Sequence, residues 1–293
     1  MKAASFDYIR AKSIDEVCLA LNQGDGEAQI IAGGQTLIPL MAMRMARPQT
    51  LVDINDIEEL RGIEIAEKVA RVKAGTRQAD VLGSIEIREN LPILSEALGH
   101  VGHTQTRNRG TIGGSLVAAD PSAEICLIAQ LLDAKMTAKS TNGTRSIPAS
   151  QFFDSAMVTS LKVGECLTEV EFPIWEDEHI GFGFHETSIR DSDYALAAAA
   201  AQIAIDSSGR CERVHLAVGG ATPCPLRLNE VETALTGKVV DDGEIDTAIS
   251  LIPSLLEPQS DVHASAEYRR RVSTVLAARA IRDARDRAQG EFA

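Results

Sequence analysis

Two short stretches carry the residue types from which a chain builds an anion site. The first is IIAGGQTLIPL, where a run of β-branched residues leaves through Ala32, Gly33, Gly34, Gln35 and Thr36. The second is RGTIGGSLVAADPSAE, which repeats the arrangement over Gly110, Thr111, Ile112, Gly113, Gly114 and Ser115. Glycine after a strand permits φ > 0 and leaves no Cβ between backbone and ligand. Successive exposed N–H groups then form a nest for an anion, and Thr36 adds a hydroxyl donor. Two such loops would grip a pyrophosphate from both sides without a lysine, because N–H bonds to phosphate are charge-assisted. A single Gly-Gly pair after a strand is more often a plain turn, so local physics alone supports an anionic ligand only weakly. Neither stretch fits the dinucleotide fingerprint GxGxxG or the P-loop GxxxxGKS.

Other chemistry is thin. The five cysteines (Cys18, Cys126, Cys166, Cys211 and Cys224) are scattered and form no CxxC, which reads as buried small hydrophobes rather than a disulfide, zinc or iron–sulfur framework. The net charge of -13 argues against a nucleic-acid binder and against an anionic membrane surface as partner. No apolar stretch approaches the roughly 20 residues of a membrane span. The first residues contain no apolar core of a signal peptide, so a cytoplasmic protein is expected.

The elements that must position the loops follow from pattern. SIDEVCLALNQ opens on a capping box, Ser13 with Glu16, and presents Val17, Leu19, Ala20 and Leu21 as an apolar face. A short strand leads into the first loop, and TLVDI predicts a second strand. RGIEIAEKVARVKAGT alternates as paired strands do. ADVLGSIEIRENLPILSEALGHV predicts helix, with Pro92 opening a second one. DPSAEICLIAQLLDA predicts a helix capped by Asp120 with Pro121 in its first turn. KMTAKSTNGTRSIP predicts a hairpin turning at Asn142-Gly143, and LTEVEFP a further strand. Helix propensity claims the alanines of 194–202, while the flanking QIAID and CERVHLAVGGA read as a strand hairpin. The segment SAEYRRRVSTVLAARAIRDARDRA predicts a long helix. Tyr268, Val272, Val275, Leu276 and Ile281 are available for its burial, and its arginines read as a solvated face.

Read in full, IIAGGQTLIPLMAMRMARPQTLVDIN and TRNRGTIGGSLVAADPSAE resemble the two signature stretches of the FAD-binding medium subunits of molybdenum hydroxylases, the carbon monoxide dehydrogenase and xanthine dehydrogenase family. SFDYIRAKSIDEV, RDSDYALAAAA and DVHASAEYRRRVSTVLAARA are also similar to that family. The resemblance runs through essentially the whole chain. It implies an α+β fold: a two-part FAD-binding domain of the covalent-flavin, vanillyl-alcohol-oxidase-like kind, with a small α/β lobe over 1–57 and an α+β lobe over 58–177. A C-terminal domain over 178–293 would pack a three-stranded antiparallel sheet on helices, which places 194–202 mainly in a strand.

The resemblance also implies non-covalent FAD in this chain, a small partner carrying two [2Fe–2S] clusters and a large partner carrying molybdopterin, in a dimer of heterotrimers. Ala32 to Thr36 and Gly110 to Ser115 then resemble the diphosphate loops, with Leu37, Ile38 and Pro39 continuing the first. Asp120 and Glu124 fall where family acidic residues sit, Glu124 as the candidate for a ribose hydroxyl. Leu167 and His185 fall near positions lining the adenine or isoalloxazine side, and Tyr194 near the flavin ring. No catalytic residue and no metal ligand is expected here. Ala42 stands where a lysine is common, and Ile189 replaces the first arginine of the usual SRR. Electrons would pass from the partner clusters through FAD to an outside acceptor. A free-standing covalent-flavin oxidase is disfavoured, since Gln35 holds the place of an anchoring His or Cys. A scaffold subunit that has lost FAD is the remaining alternative.

Overall fold

A computed structural model describes residues 2–290. The chain first folds around a three-stranded parallel sheet in which β3 (Thr50–Asp53) lies between β1 (Asp7–Arg10) and β2 (Ala28–Ile31). Helix α1 (Ile14–Gln23) crosses between β1 and β2, and its Ser13 cap accepts from the Glu16 N–H as expected. Ile14, Val17, Cys18, Ala20 and Leu21 are its buried residues. Leu19 is 50% exposed, because a residue two positions from Val17 stands on the other side of a helix. Leu37–Ala42 forms α2, so Leu37 to Pro39 wind a helical turn rather than prolong the first loop.

A five-stranded antiparallel sheet follows. Its order is β4 (Ile63–Ala66), β5 (Val69–Lys73), β10 (Cys166–Pro173), β6 (Lys135–Ser140) and β7 (Gly143–Pro148). Between β5 and β6 run α3 (Gln78–Gly83), α4 (Ile85–Asn90), α5 (Pro92–His100), α6 (Thr104–Arg109), α7 (Ile112–Ala118) and α8 (Glu124–Leu131). Pro92 opens α5 as predicted. Helix α8 begins at Glu124, later than Asp120. Asp120 instead closes a preceding turn, its Oδ1 accepting from the Ser122 N–H at 2.9 Å. The β6–β7 turn is Thr141-Asn142, and Gly143 already pairs with Ser140. A small ribbon, β8 (Phe153–Ser155) with β9 (Val158–Thr159), follows β7.

The last sheet is antiparallel: β11 (Ile180–Ser188), β12 (Ala195–Ile205), β13 (Cys211–Gly219) and β14 (Leu226–Arg227). Its three long strands are those expected, and the two-residue β14 extends them. The alanines of β12 are strand because the strand is central and covered on both faces. Ala198 and Ala200 join the core shared with the second sheet, while Ala197, Ala199 and Ala201 join the core under the last helix. Burial with period two outweighs the small helix preference of alanine.

After β14 come α9 (Asn229–Leu235), α10 (Asp242–Ile249), α11 (Ile252–Leu255) and α12 (Ala266–Ala288). The long helix lies directly on β11. A Cβ at Gly181 would stand 2.6 Å from the Ala288 nitrogen, and one at Gly183 2.9 Å from the Ala280 carbonyl carbon. Val275 is 43% exposed, whereas Arg269 is buried. Arg269 donates to the carbonyls of Leu196 at 2.6 Å and Gly220 at 2.8 Å, so this arginine pins α12 to the ends of two strands rather than facing solvent. No helix among the described residues is long and apolar enough to cross a membrane.

Candidate functional site

A large cleft of about 820 Å³ lies where the first sheet meets the helices of the second. That volume lies within the range of about 300–1,000 Å³ that small-molecule and cofactor sites occupy. Both glycine loops open into it. The first leaves β2 at Ile31 and enters α2, with Gly34 at φ 72°, the left-handed region that only glycine adopts cheaply. The backbone N–H groups of Gly33, Gly34, Gln35, Thr36 and Leu37 meet no acceptor among the described residues. Five consecutive unspent donors are the nest that an anion requires.

The second loop is different. Gly110 precedes Thr111, whose Oγ1 caps α7 by accepting from the Gly114 N–H at 3.0 Å. The Ile112 N–H donates to the Thr76 carbonyl and the Gly113 N–H to that of Ala74. Most of its donors are therefore spent inside the protein, only the Thr111 N–H meeting no acceptor among the described residues, and the expected two-sided grip rests mainly on the first loop. The second loop supplies a wall, with Ser115 and the exposed Gly114 facing the cleft.

The glycines have structural reasons that the ligand argument did not contain. A Cβ at Gly33 would stand 2.9 Å from the Gly110 Cα and closer still to the Arg109 carbonyl oxygen, so here the two loops touch backbone to backbone. A Cβ at Gly113 would stand 2.5 Å from that of Ala74, so α7 packs against the end of β5.

Behind the contact lies a brace that pattern did not reveal. Asn55 donates to the Ala32 carbonyl at 2.9 Å, and Arg77 donates to the Asn55 Oδ1 at 2.6 Å and to the Arg109 carbonyl. This chain of bonds ties the first loop to the second. Burial, then the neighbouring charges of Arg109 and Arg61, lower the Arg77 pKa. The stretch from Leu161 to Cys166 forms another unforeseen wall of the cleft.

Of the residues singled out from sequence, Ala32 to Leu37, Gly110, Thr111, Gly113 to Ser115, Asp120, Glu124, Leu167 and Tyr194 all line the cleft. Four do not. Ile112 is fully buried in the core beneath α7. Ile38 and Pro39 sit on the outer side of α2. His185 sits on β11 with its Nε2 2.8 Å from Asp283 of α12, on the helix side of that strand. Leu167 is buried in β10 opposite Ala138. Tyr194 stands at the rim, 67% exposed, in the loop just before β12.

Glu124 is the buried acid of the cleft, 9% exposed. Burial pushes its carboxyl up to about 8, Glu186 and Asp120 adding to the effect while a backbone hydrogen bond and His100 oppose it. The arrangement can hold a phosphorylated ligand by backbone donors at one end and offer a neutral acid to its hydroxyls at the other.

The family described as the FAD binding domain in molybdopterin dehydrogenase matches residues 4–175, and that described as the CO dehydrogenase flavoprotein C-terminal domain matches residues 182–284. The chain is 39% identical over 289 residues to the 6-hydroxypseudooxynicotine dehydrogenase complex subunit alpha of Paenarthrobacter nicotinovorans, covering 99% of this chain and 97% of that one. It is 32% identical to the carbon monoxide dehydrogenase medium chain of Afipia carboxidovorans, covering 99% and 100%. A solved structure of carbon monoxide dehydrogenase from Hydrogenophaga pseudoflava superposes with a TM-score of 0.95 at 30% identity, over 98% of this chain and 99% of that one.

Proposed function

The chain belongs to the FAD-binding medium subunits of the molybdenum hydroxylase family, and from that premise we propose that it relays electrons. In this reading a small partner carrying two [2Fe–2S] clusters delivers electrons that a large molybdopterin partner has withdrawn from substrate. An external acceptor takes them away. The working assembly is a cytoplasmic dimer of heterotrimers. Residues 1–57 and 58–177 are the two FAD lobes, and 178–293 the C-terminal domain.

The observation that carries the reading is the nest of free N–H groups from Gly33 to Leu37 at the mouth of a cofactor-sized cleft. These donors hold the diphosphate, with the second loop as the opposing wall. Glu124 meets a ribose or ribityl hydroxyl. Leu167 covers an apolar ring, and Tyr194 shields the flavin edge from water. FAD, when bound, supplies the two-electron chemistry, while this chain binds and orients it.

The test is a complex assembled from all three subunits, with this chain either loaded with FAD or stripped of it. With FAD, substrate should bleach the flavin absorbance and drive acceptor reduction. Without FAD, the clusters should still become reduced while acceptor turnover falls by at least about tenfold, roughly 1.4 kcal/mol in barrier terms. Undiminished turnover in the stripped complex would remove the relay role.

A further inference from the structure

Three titratable side chains from three elements meet behind the inner wall of the cleft. Glu124 opens α8 and lines the cleft. Glu186 stands on β11 with its side chain 7% exposed, and its Oε2 is buried with no hydrogen-bond partner among the described residues. His100 ends α5, its Nδ1 3.4 Å from the Glu186 Oε1 and its ring 5.0 Å from that of Phe184. Helix α5 packs on both α8 and β11, which brings the three together.

Other titratable groups surround them: burial, then the charges of Asp120 and Glu124, raise the pKa of both Tyr194 at the rim and the buried Cys126 of α8. Asp120 lies beside Glu124 and adds to its negative surroundings. Glu96 of α5 is paired with Arg287 of α12 at 3.0 Å. His185 of β11 is paired with Asp283. Glu186 is thus the carboxyl paired with the imidazole, and Glu124 has no ion-pair partner among the described residues. Hydrogen bonding to Glu186 raises the His100 pKa against its burial. With the imidazole engaged by Glu186, a second carboxylate in the same buried site is costly unless it holds a proton.

An anionic diphosphate ligand makes a second carboxylate costlier still. We propose that FAD binds the form of the chain in which Glu124, backed by Glu186 and His100, is the neutral acid, so that flavin retention is linked to pH. The inference rests on the cleft being the FAD site. Where Glu124 is ionised in the free chain, binding draws one H⁺ from solvent onto its carboxylate to give the neutral acid, and no bond of FAD is made or broken. The neutral acid then donates its O–H to an acceptor on the ligand.

The sign follows from the direction of the Glu124 shift. Below about pH 8 the free chain already holds the proton, and affinity is flat. Above it, binding must draw a proton from solvent, and affinity falls by up to about tenfold per pH unit until the bound form also titrates. Calorimetric titration of the full apo chain with FAD, at about pH 7 and about pH 9 in two buffers of different protonation enthalpy, reads both effects. Wild type should bind about tenfold more weakly at the higher pH and take up close to one proton there. Glu124→Gln, a neutral mimic of the acid, should bind equally at both and take up none. Glu186→Gln removes a like charge and should move the fall to lower pH. His100→Gln removes the imidazole that opposes the Glu124 shift and should move the fall to higher pH.

Equal wild-type affinity at both pH values, or proton uptake that survives in Glu124→Gln, would overturn the proposal while leaving the FAD site intact. No binding of FAD at about pH 7 would overturn the site itself, and the proposal with it.

Discussion

Gly33→Ala should weaken FAD binding by up to about a hundredfold, the equivalent of roughly 2.7 kcal/mol. The new methyl carbon would stand 2.8 Å from the Arg109 carbonyl carbon and 2.9 Å from the Gly110 Cα. Neither atom yields easily. Arg77 holds the Arg109 carbonyl and, at 2.6 Å, the Asn55 Oδ1 that anchors the first loop. The Gly110 carbonyl accepts from the Gln78 N–H at 2.9 Å. The strain is relieved by moving the first loop away from the second, which tilts the five free N–H groups off their common target. Apo-chain titration with FAD reads the loss, and circular dichroism should stay unchanged because the disturbed backbone is loop. Wild-type affinity in this variant would show that the contact between the loops does not shape the nest.

Gly181→Ala should cost about 3 kcal/mol of folding stability, at the upper end for overpacking. Here the methyl would press on the backbone of α12, 2.6 Å from the Ala288 nitrogen and 2.8 Å from the Ala284 carbonyl carbon. Side chains cannot rotate away from a clash with main chain, so the helix must lift. Lifting it uncovers Ala280, Ile281 and Ala284, all fully buried in the core that α12 shares with β12. Urea unfolding followed by far-ultraviolet circular dichroism measures the change as a lower midpoint. An unchanged midpoint would mean that the helix is not seated on β11 through the glycine.

The legible part of the fold was local. The Ser13 cap, Pro92 at the start of α5 and the alternation of β4 and β5 each depend on neighbours within a few residues, and pattern finds such features. The alanines of β12 were not locally legible, because their conformation is set by helices packed on both faces of a central strand. Only the family resemblance placed them in a strand. Asp120 marked a turn rather than a helix start, since its side chain serves Ser122 in a separate loop.

At the cleft, sequence found both loops but misjudged their division of labour. Gly113 and Gly114 suggested free donors, and only the fold reveals Ala74 and the Thr111 hydroxyl as their acceptors. Asn55 and Arg77 carry no motif, and 22 residues separate them in the chain. Glu186 and His100 come together only through the packing of α5 on β11.

The central claim is that FAD lies in the cleft between the first loop and α7. Ala118 faces that cleft from α7 and is only half-buried, so Ala118→Trp fills the space at little cost to the core. Fluorescence titration of the full apo chain with FAD, run on wild type and Ala118→Trp side by side, gives the answer. The account predicts one FAD per wild-type chain and at least about tenfold weaker binding in the variant, with both proteins melting at the same temperature. Equal, stoichiometric binding by both proteins would contradict it.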